Sequence, residues 1–166
     1  MKAPVGETDC GGGVRLRPLA REDLPMTLAW RNRDAVRIRF RSSSPLTPEQ
    51  HAGWFEAYLG KPDDYVFIVE RAGRPVGQAA IYAIDPDAGE AEVGRFVVAP
   101  GEEGKGHMRA AIAGLAALAR SRWGLGRLYL EVFADNARAV RLYRSLGFVV
   151  DRTGGGMLHM SLPIAR

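Results

Sequence analysis

The sequence has few residues that could build covalent or metal frameworks: one cysteine, Cys10, and three histidines. A single cysteine excludes an internal disulfide, and no cysteine and histidine cluster has the spacing of a zinc site. No run of about 18 apolar residues is present, which excludes a membrane-spanning helix. The N-terminus also lacks the apolar core of a signal peptide. We therefore expect a cytoplasmic protein with no metal and no membrane partner.

Lysine is also scarce, because only three of the 23 basic residues are lysine. The formal net charge of +4 suits an anionic ligand. It does not indicate nucleic acid, since aromatic residues are not interleaved with the arginines as a stacking surface requires. The arginine cluster consists of Arg31, Arg33, Arg37, Arg39 and Arg41. Helical spacing within it predicts either a solvated face or a rim that attracts an anionic substrate.

The length of 166 residues corresponds to one domain. Residues 1–13 are predicted to form a flexible tail, and residues 14–166 a single domain. The hydrophobic patterns predict the element order β, α, α, β, β, β, α, β, α, β, β. An antiparallel meander therefore passes into βαβ crossovers, which predicts an α/β fold with a mixed sheet and helices on both faces.

A glycine-rich turn, Gly104-Lys105-Gly106, joins a predicted strand over 90–99 to a long apolar helix. Such a turn leaves backbone N–H groups free at the positive end of the helix dipole, where a phosphate binds well. A P-loop is excluded because Gly106 stands where serine or threonine is required, and a dinucleotide motif is excluded by Arg109. The alternative is a glycine-rich connection that binds no ligand.

Several motifs accompany this turn. They are Val97-Val98-Ala99-Pro100, Leu130-Glu131-Val132, Asn136-Ala137-Arg138-Ala139 and Leu142-Tyr143-Arg144-Ser145-Leu146-Gly147-Phe148. In this combination the sequence resembles the GNAT superfamily of acyl-CoA-dependent N-acetyltransferases over about residues 14–163. The resemblance implies a mostly antiparallel sheet whose two central parallel strands splay apart. It also implies acetyl-CoA as the cofactor.

The resemblance assigns two groups of residues to acetyl-CoA. The pyrophosphate is expected at the backbone N–H groups of the segment Glu103, Gly104, Lys105, Gly106, His107, Met108 and Arg109. The pantetheine arm is expected along the strand edge Phe96, Val97 and Val98, where it would pair as an added strand does. Asn136 and Arg138 are assigned to the cofactor as well.

Two residues are candidates for acid and base catalysis. The resemblance makes Tyr143 the acid that protonates the leaving thiolate, and a phenol remains protonated at neutral pH. The alternative is a core aromatic residue. Glu92 is the candidate base for the attacking amine, and the alternative is a solvent-facing residue. Strand alternation predicts that Glu92, Gly94, Phe96 and Val98 share one face. Glu131 is expected to be structural.

Two positions depart from the family's usual glycine motif, which opens with glutamine or arginine and closes with glycine or alanine. Here Glu103 and Met108 occupy those positions. A glutamate repels a pyrophosphate unless it points away, and a methionine fits if it faces the core. Lys105 and Arg109 are expected to supply compensating positive charge.

The acceptor region extends from the first helix to Trp54, and the residues assigned to the acceptor are Trp30, Arg31, Asn32, Arg39 and His51. An exposed position is the alternative for His51. The region resembles acetyltransferases of nucleotide-linked amino sugars, ribosomal-protein N-termini and polyamines. Because a polyamine site needs clustered carboxylates, the arginines favour the first two. We expect a small-molecule amine as the partner, an amino sugar or nucleotide-linked amino sugar first, and a possible homodimer. A non-catalytic acyl-CoA-binding module is the remaining alternative.

Overall fold

The structure is a computed structural model that describes residues 2–40 and 43–164. Within those ranges the strands are Thr8–Gly11 (β1), Val14–Pro18 (β2), Tyr65–Arg71 (β3), Arg74–Asp85 (β4), Glu90–Val98 (β5), Arg127–Phe133 (β6), Val149–Gly154 (β7) and Met157–Pro163 (β8). The α-helices there are Leu24–Arg31 (α1), Asp34–Arg37 (α2), Pro48–Leu59 (α3), His107–Trp123 (α4) and Ala137–Ser145 (α5).

The strands form one sheet in the order β1-β2-β3-β4-β5-β6-β8-β7. The pairings are antiparallel except for the central pair, β5 and β6, which is parallel. This arrangement confirms the predicted mixed, mostly antiparallel α/β sheet. No helix within the described ranges is long and apolar enough to span a membrane.

The N-terminal segment is ordered where the sequence predicted a flexible tail. Residues Thr8–Gly11 form β1, which pairs antiparallel with β2. Ahead of that strand, the hydroxyl of Tyr65 donates to the Ala3 carbonyl at 2.5 Å. The prediction of a flexible tail is therefore wrong for the strand residues, because β1 hydrogen bonds to the edge of the sheet. Met1 lies outside the described residues.

The central strands separate soon after they meet. Residues Glu90–Glu92 of β5 pair with Arg127–Tyr129 of β6, and the pairing ends there. Both strands continue, to Val98 and Phe133, with a widening gap between them. This gap is the splay that the family resemblance implies. It leaves part of the β5 edge without a partner strand, and that edge can accept an extended ligand.

A β-bulge divides β5 into two segments, and the side-chain alternation is reversed from one segment to the other. Arg95 and Phe96 together stand opposite Ala79 of β4, since the register shifts between the flanking pairs. Arg95 has a φ of 53°, a left-handed conformation that is unusual outside glycine. An extra residue in one strand reverses the alternation of side chains beyond it. The two ends of β5 therefore present different residues to each face of the sheet.

The bulge corrects one prediction about Glu92. The sequence alternation placed Glu92, Gly94, Phe96 and Val98 on one face. In the structure the first two face the side of α1 and α3, whereas Phe96 and Val98 pack against the core on the side of α4 and α5. Groups on the two faces can therefore approach the gap between β5 and β6 from opposite sides.

The helices cover both faces of the sheet, as predicted. On one face, α4 buries Ile112, Leu115 and Ala119, which are no more than 1% exposed. Burial of a large aliphatic side chain stabilises the fold by about 1.5–3 kcal/mol. On the other face, α3 begins at a capping box in which Thr47 and Gln50 exchange side-chain to backbone hydrogen bonds of 3.1 and 2.9 Å. The residues Thr47-Pro48-Glu49-Gln50 are typical of such a helix start.

Candidate active site

A cavity of about 500 Å³ occupies the splay between β5 and β6. Its wall combines parts of both strands with the segment after α1 and the start of α5. The polar and charged side chains on this wall are Arg31, Arg39, Tyr82, Glu92, Arg95, Glu131, Asn136 and Tyr143. The structure thus brings together both predicted catalytic residues and four of the predicted binding residues, Arg31, Arg39, Phe96 and Asn136.

Tyr143 reaches the cavity from α5. Its ring packs against Phe96 and Phe148, with centroids 6.0 and 5.9 Å apart, and the residue is 8% exposed. Burial raises the pKa of Tyr143 above its ordinary value, because ionisation would place a charge in apolar surroundings. Among the described residues its hydroxyl has no hydrogen-bond partner. The side chain is therefore both a core aromatic and a neutral donor on the cavity wall.

Asn136 caps the same helix. Its side-chain oxygen accepts from the Ala139 amide at 3.4 Å, and the residue also lines the cavity. The spacing of seven residues between Asn136 and Tyr143 puts both on one face of α5. The cap position thus holds the asparagine amide beside the gap between the central strands.

Glu92 faces the cavity from the side of the sheet opposite Tyr143. Tyr82 stands directly across the β4–β5 hairpin and donates its hydroxyl to Glu92 Oε2 at 3.3 Å. Burial and the neighbouring carboxylate raise the pKa of Tyr82, so its proton stays available for this bond. Glycine is required at Gly94, because a Cβ there would lie 2.3 Å from the Tyr82 hydroxyl. The hairpin therefore fixes where the Glu92 carboxylate lies.

Tyr82 was not predicted as a site residue, although the sequence carries a signal for it. A turn between two strands is indicated by Asp85-Pro86-Asp87-Ala88-Gly89, and in a hairpin centred on Asp87 the residues equally distant from that position pair across the two strands. Tyr82 and Glu92 are each five positions away. A tyrosine opposite a candidate base is a ready hydrogen-bond donor, so hairpin register alone could have found it.

The glycine-rich turn has the backbone conformation of an anion site. Gly101, Gly104 and Gly106 have φ values of 80°, 75° and 81°, which suit glycine. Helix α4 begins at His107, and the Ala110 amide bonds back to the Gly106 carbonyl at 3.3 Å. The amides before it belong to the first turn, which lacks intrahelical acceptors. This geometry supports the predicted pyrophosphate cradle.

A buried carboxylate anchors that turn. Glu102 is 6% exposed and forms ion pairs with Arg74, with Lys105 at 3.4 Å and with His107 at 3.3 Å. The Arg74 guanidinium, followed by His107 and Lys105, lowers the pKa of Glu102 to about 2. The predicted compensating charge of Lys105 is therefore shared with a neighbouring carboxylate. The turn is tied through Glu102 to the start of β4.

The two residues that depart from the usual motif both point away from the turn. Glu103 pairs with Arg33 across 3.6 Å, on the side of α2. Met108 is 8% exposed and packs in the core. Neither side chain therefore blocks the amides between them.

Two arginines predicted at the cofactor also lie around this turn. Arg138 comes so close to Gly104 that a Cβ on the glycine would stand 3.2 Å from its guanidinium. Arg109 instead donates to the Ser145 hydroxyl at 2.6 Å and ties α4 to α5. Of these two arginines, Arg138 is therefore the one nearer to the predicted position of the diphosphate.

The three residues of the predicted strand edge, Phe96, Val97 and Val98, have different surroundings. Phe96 lines the cavity. Val97 is 3% exposed and packs with Trp30 on the opposite face. The carbonyl of Val98 accepts a hydrogen bond from Arg33. A role for this edge in binding pantetheine therefore involves the backbone and the Phe96 ring, and excludes the Val97 side chain.

Two of the residues assigned to the acceptor line the cavity. The Arg31 guanidinium lies 4.0 Å from the centre of the Phe40 ring, and Phe40 lines the same wall. Arg39 reaches Asp135, beyond the end of β6, in an ion pair of 3.0 Å. Both guanidinium groups therefore border the acceptor side of the cavity. Arg41 of the arginine cluster lies outside the described residues.

The other three residues assigned to the acceptor pack against neighbouring elements outside the cavity. Trp30 is 7% exposed beneath β5. Asn32 forms two hydrogen bonds of 2.8 Å with the backbone of Leu46, which hold the loop before α3. His51 is 8% exposed, so its expected exposure is wrong, and its Nε2 bonds the Thr27 hydroxyl at 2.9 Å. None of the three lines the cavity, because each packs between α1 and its neighbours.

Comparison with known proteins gives the family of the chain. The acetyltransferase (GNAT) family profile matches residues 26–148. The chain belongs to this family, and it is an acetyl-CoA-dependent N-acetyltransferase.

Individual relatives extend the comparison. Spermidine N(1)-acetyltransferase of Escherichia coli K12 is 29% identical over 152 residues, which cover 88% of this chain and 76% of that protein. Mycothiol acetyltransferase of Saccharomonospora viridis is 33% identical over 95 residues, 57% of this chain and 24% of that protein. The crystal structure of a Vibrio cholerae spermidine N-acetyltransferase, in complex with CoA and spermine, has a TM-score of 0.84 at 22% identity. It covers 93% of this chain and 97% of that one, and at this identity it shows the shared fold.

Proposed function

We propose that this enzyme transfers an acetyl group from acetyl-CoA to a primary amine of a small molecule by direct attack in a ternary complex. Glu92 accepts the proton of the amine, and Tyr143 donates a proton to the departing thiolate. The observation that carries the proposal is the placement of these side chains on opposite faces of one splayed gap. An amine arriving on one face can then displace a thiol on the other.

Three features of the chain would hold acetyl-CoA. The amides of residues 103–109 suit its diphosphate, the unpaired edge of β5 suits its amide-bearing arm, and Asn136 lies beside that edge. When bound, acetyl-CoA supplies an activated acyl group in a thioester. The chain's own contribution is to orient this group and to manage two protons.

The two protons move in opposite directions. The amine must lose its proton to become nucleophilic, and the carboxylate of Glu92 can accept it directly or through water. The hydrogen bond from Tyr82 holds that carboxylate in place. As nitrogen bonds to the acyl carbon, the carbon–sulfur bond breaks and the sulfur takes the proton of Tyr143. Burial keeps Tyr143 protonated, which is the state an acid needs at the start of turnover.

The acceptor class is supported in its broad form. Two relatives are spermidine acetyltransferases, which favours a small amine as acceptor. The comparisons do not support an amino sugar, and the N-terminal amine of a protein stays an alternative without such support. A homodimer and a cytoplasmic location remain predictions. One structural neighbour, from Vibrio cholerae, is described as dodecameric.

Replacement of Glu92 tests the proposal. In Glu92→Gln we expect kcat/KM for thiol release in the presence of amine to fall by about a hundredfold at pH 7, the size of a general-base contribution. The loss should shrink at higher pH, where more of the free amine is already neutral. Thiol release can be followed with a chromogenic disulfide reagent.

Glu90→Gln is the matched control. Glu90 lies two residues earlier on β5, pairs with Arg127, and does not line the cavity. We expect this variant to stay within about twofold of wild type, since Glu90 is half-buried in an ion pair outside the cavity and does not contact the reacting groups. Equal activity of Glu92→Gln and Glu90→Gln would remove Glu92 from the mechanism.

A further inference from the structure

The structure divides the arginine cluster into two groups. Arg33 and Arg37 are occupied by neighbouring carboxylates, with Glu103 at 3.6 Å from the first and Asp34 at 3.0 Å from the second. Neither of these arginines lines the cavity. Their ion pairs hold the α2 segment in place. The number of arginines in the sequence therefore overstates the positive charge available to a ligand.

Arg31 and Arg39 form the second group, which lines the cavity. The Arg31 guanidinium stacks on Phe40, so its N–H edge is held in a fixed plane. Arg39 pairs with Asp135, a residue whose side chain is 84% exposed. Such an exposed pair contributes little to stability, so a ligand anion can take the place of Asp135.

We propose that the acceptor amine carries an anionic group, a carboxylate or a phosphate, and that Arg31 and Arg39 bind this group. The amine then faces Glu92, on the neighbouring part of the same wall. Guanidinium forks match carboxylate and phosphate oxygens, which makes arginine well suited to this recognition. The inference rests on the proposed function and adds the substrate class to it.

The same wall disfavours an acceptor with several ammonium groups. The carboxylates that line the cavity are Glu92, which the proposed function assigns to the reacting amine, and Glu131 on β6. A second ammonium beside Arg31 and Arg39 would need further carboxylates at the α2 side, but Asp34, Glu103 and Asp135 there are each paired with an arginine. An ammonium placed there would meet two guanidinium groups, and juxtaposed like charges are strongly unfavourable. The chain therefore differs at this wall from what a polyamine site requires.

A matched series of amines tests the inference. γ-Aminobutyrate, n-butylamine and putrescine share a short aliphatic chain and differ in the charge at its far end. Glucosamine and its phosphate monoester form a second pair, which separates phosphate from carboxylate recognition. We expect kcat/KM for at least one anionic member to exceed that of its neutral and cationic counterparts by about tenfold, the size of a charge-assisted hydrogen bond.

Arginine variants connect this preference to the two residues. Arg39→Gln should lower kcat/KM for the preferred anionic amine by about tenfold and leave the neutral amine unchanged. Arg31→Gln should do the same, and its melting temperature reports whether the loss of Phe40 stacking has disturbed the fold. Arg37→Gln removes an equal charge outside the cavity and should retain the preference.

Asp135→Asn separates recognition from a structural role of Arg39. If Arg39 binds the acceptor anion, removal of its competitor should raise kcat/KM for the anionic amine several-fold. If Arg39 serves only as a brace to Asp135, the variant should lower activity on every amine, as Arg39→Gln would.

Other results would overturn the inference. A kcat/KM for putrescine equal to or above that for γ-aminobutyrate, with no gain in kcat/KM from the phosphate monoester, would reject an anion-bearing acceptor. So would an equal loss on every amine in the arginine variants. A panel in which no amine accelerates thiol release would instead contradict the proposed function itself.

Discussion

At the scale of single residues, Tyr143 shows how the core and the chemistry use one side chain. Its ring fills space between Phe96 and Phe148, and the same burial raises the pKa of its hydroxyl. A buried phenol without a nearby cation stays protonated throughout the neutral pH range. The packing therefore prepares the acid before any ligand arrives.

Tyr143→Phe isolates the hydroxyl. We expect kcat to fall by about a hundredfold while KM for acetyl-CoA stays within about twofold, since only proton donation is removed. In the wild type, rate should show no alkaline loss from Tyr143 below pH of about 9, because its pKa lies above the usual value of about 10. Steady-state assays across pH check both. A loss in kcat below about tenfold would show that water or another group protonates the sulfur.

Individual site residues were predictable to different degrees. Tyr143 and Asn136 could be placed because α5 has a strong helical pattern and the motif fixes their spacing. The burial of His51 could not be predicted, since it depends on a contact with Thr27 of another helix, 24 positions away in the sequence. Local sequence carries no information about which face of α3 such a packing partner covers.

At the scale of elements, the turn before α4 owes its shape to Glu102. The segment 101–106 contains three glycines with positive φ, and such glycines alone would leave it flexible. The ion pairs of Glu102 with Arg74, Lys105 and His107 join the turn to β4 and to α4. We infer that this carboxylate orders the amides for a diphosphate.

Glu102→Gln tests that role. We expect KM for acetyl-CoA to rise by about tenfold with little change in kcat, because a neutral amide loses charge-assisted bonds and loosens the turn. The ionised carboxylate stabilises the fold above pH 4.5, and this contribution disappears as pH falls through about 2. The melting temperature of the variant should therefore lie below wild type at pH 7 and converge with it in strong acid.

Glu56→Gln is a suitable control for that comparison. Glu56 forms an exposed pair with Arg21, far from the turn, and should change neither KM nor melting temperature appreciably. Tighter acetyl-CoA binding by Glu102→Gln would contradict the expected role, since it would mean that the negative charge mainly repels the diphosphate.

Regular elements were predicted well, and irregular ones were not. The Thr47 cap and the β4–β5 hairpin follow from local residue preferences. The bulge at Arg95 does not, because its contacts are with distant residues. The Gln78 amide donates to the Arg95 carbonyl at 2.9 Å, and the Arg95 guanidinium bonds to Asp64 at 2.7 and 3.1 Å. The strand β1 was missed because its pairing with β2 adds an edge strand that carries few apolar residues.

At the scale of the whole molecule, the splay makes a cleft that is open to both faces of the sheet. The loss of pairing between β5 and β6 and the bulge in β5 act together, since one opens the gap and the other turns Phe96 toward α5. Sequence patterning predicted the strands and helices, whereas the splay itself came from the family resemblance.

The described residues contain a second cavity, of about 530 Å³, beside the end of α4, lined by Arg120, Ser121 and Gly124 among others.

Hydrogen exchange of the backbone amides, with and without CoA, tests whether the splay and the glycine-rich turn hold the cofactor. Bound ligand slows exchange where it forms hydrogen bonds or blocks opening. We expect protection at residues 93–98 of β5 and 103–109 of the turn, and no change in β1 and β2. Protection at residues 117–125, around the second cavity, with none at the splay or the turn, would contradict the account.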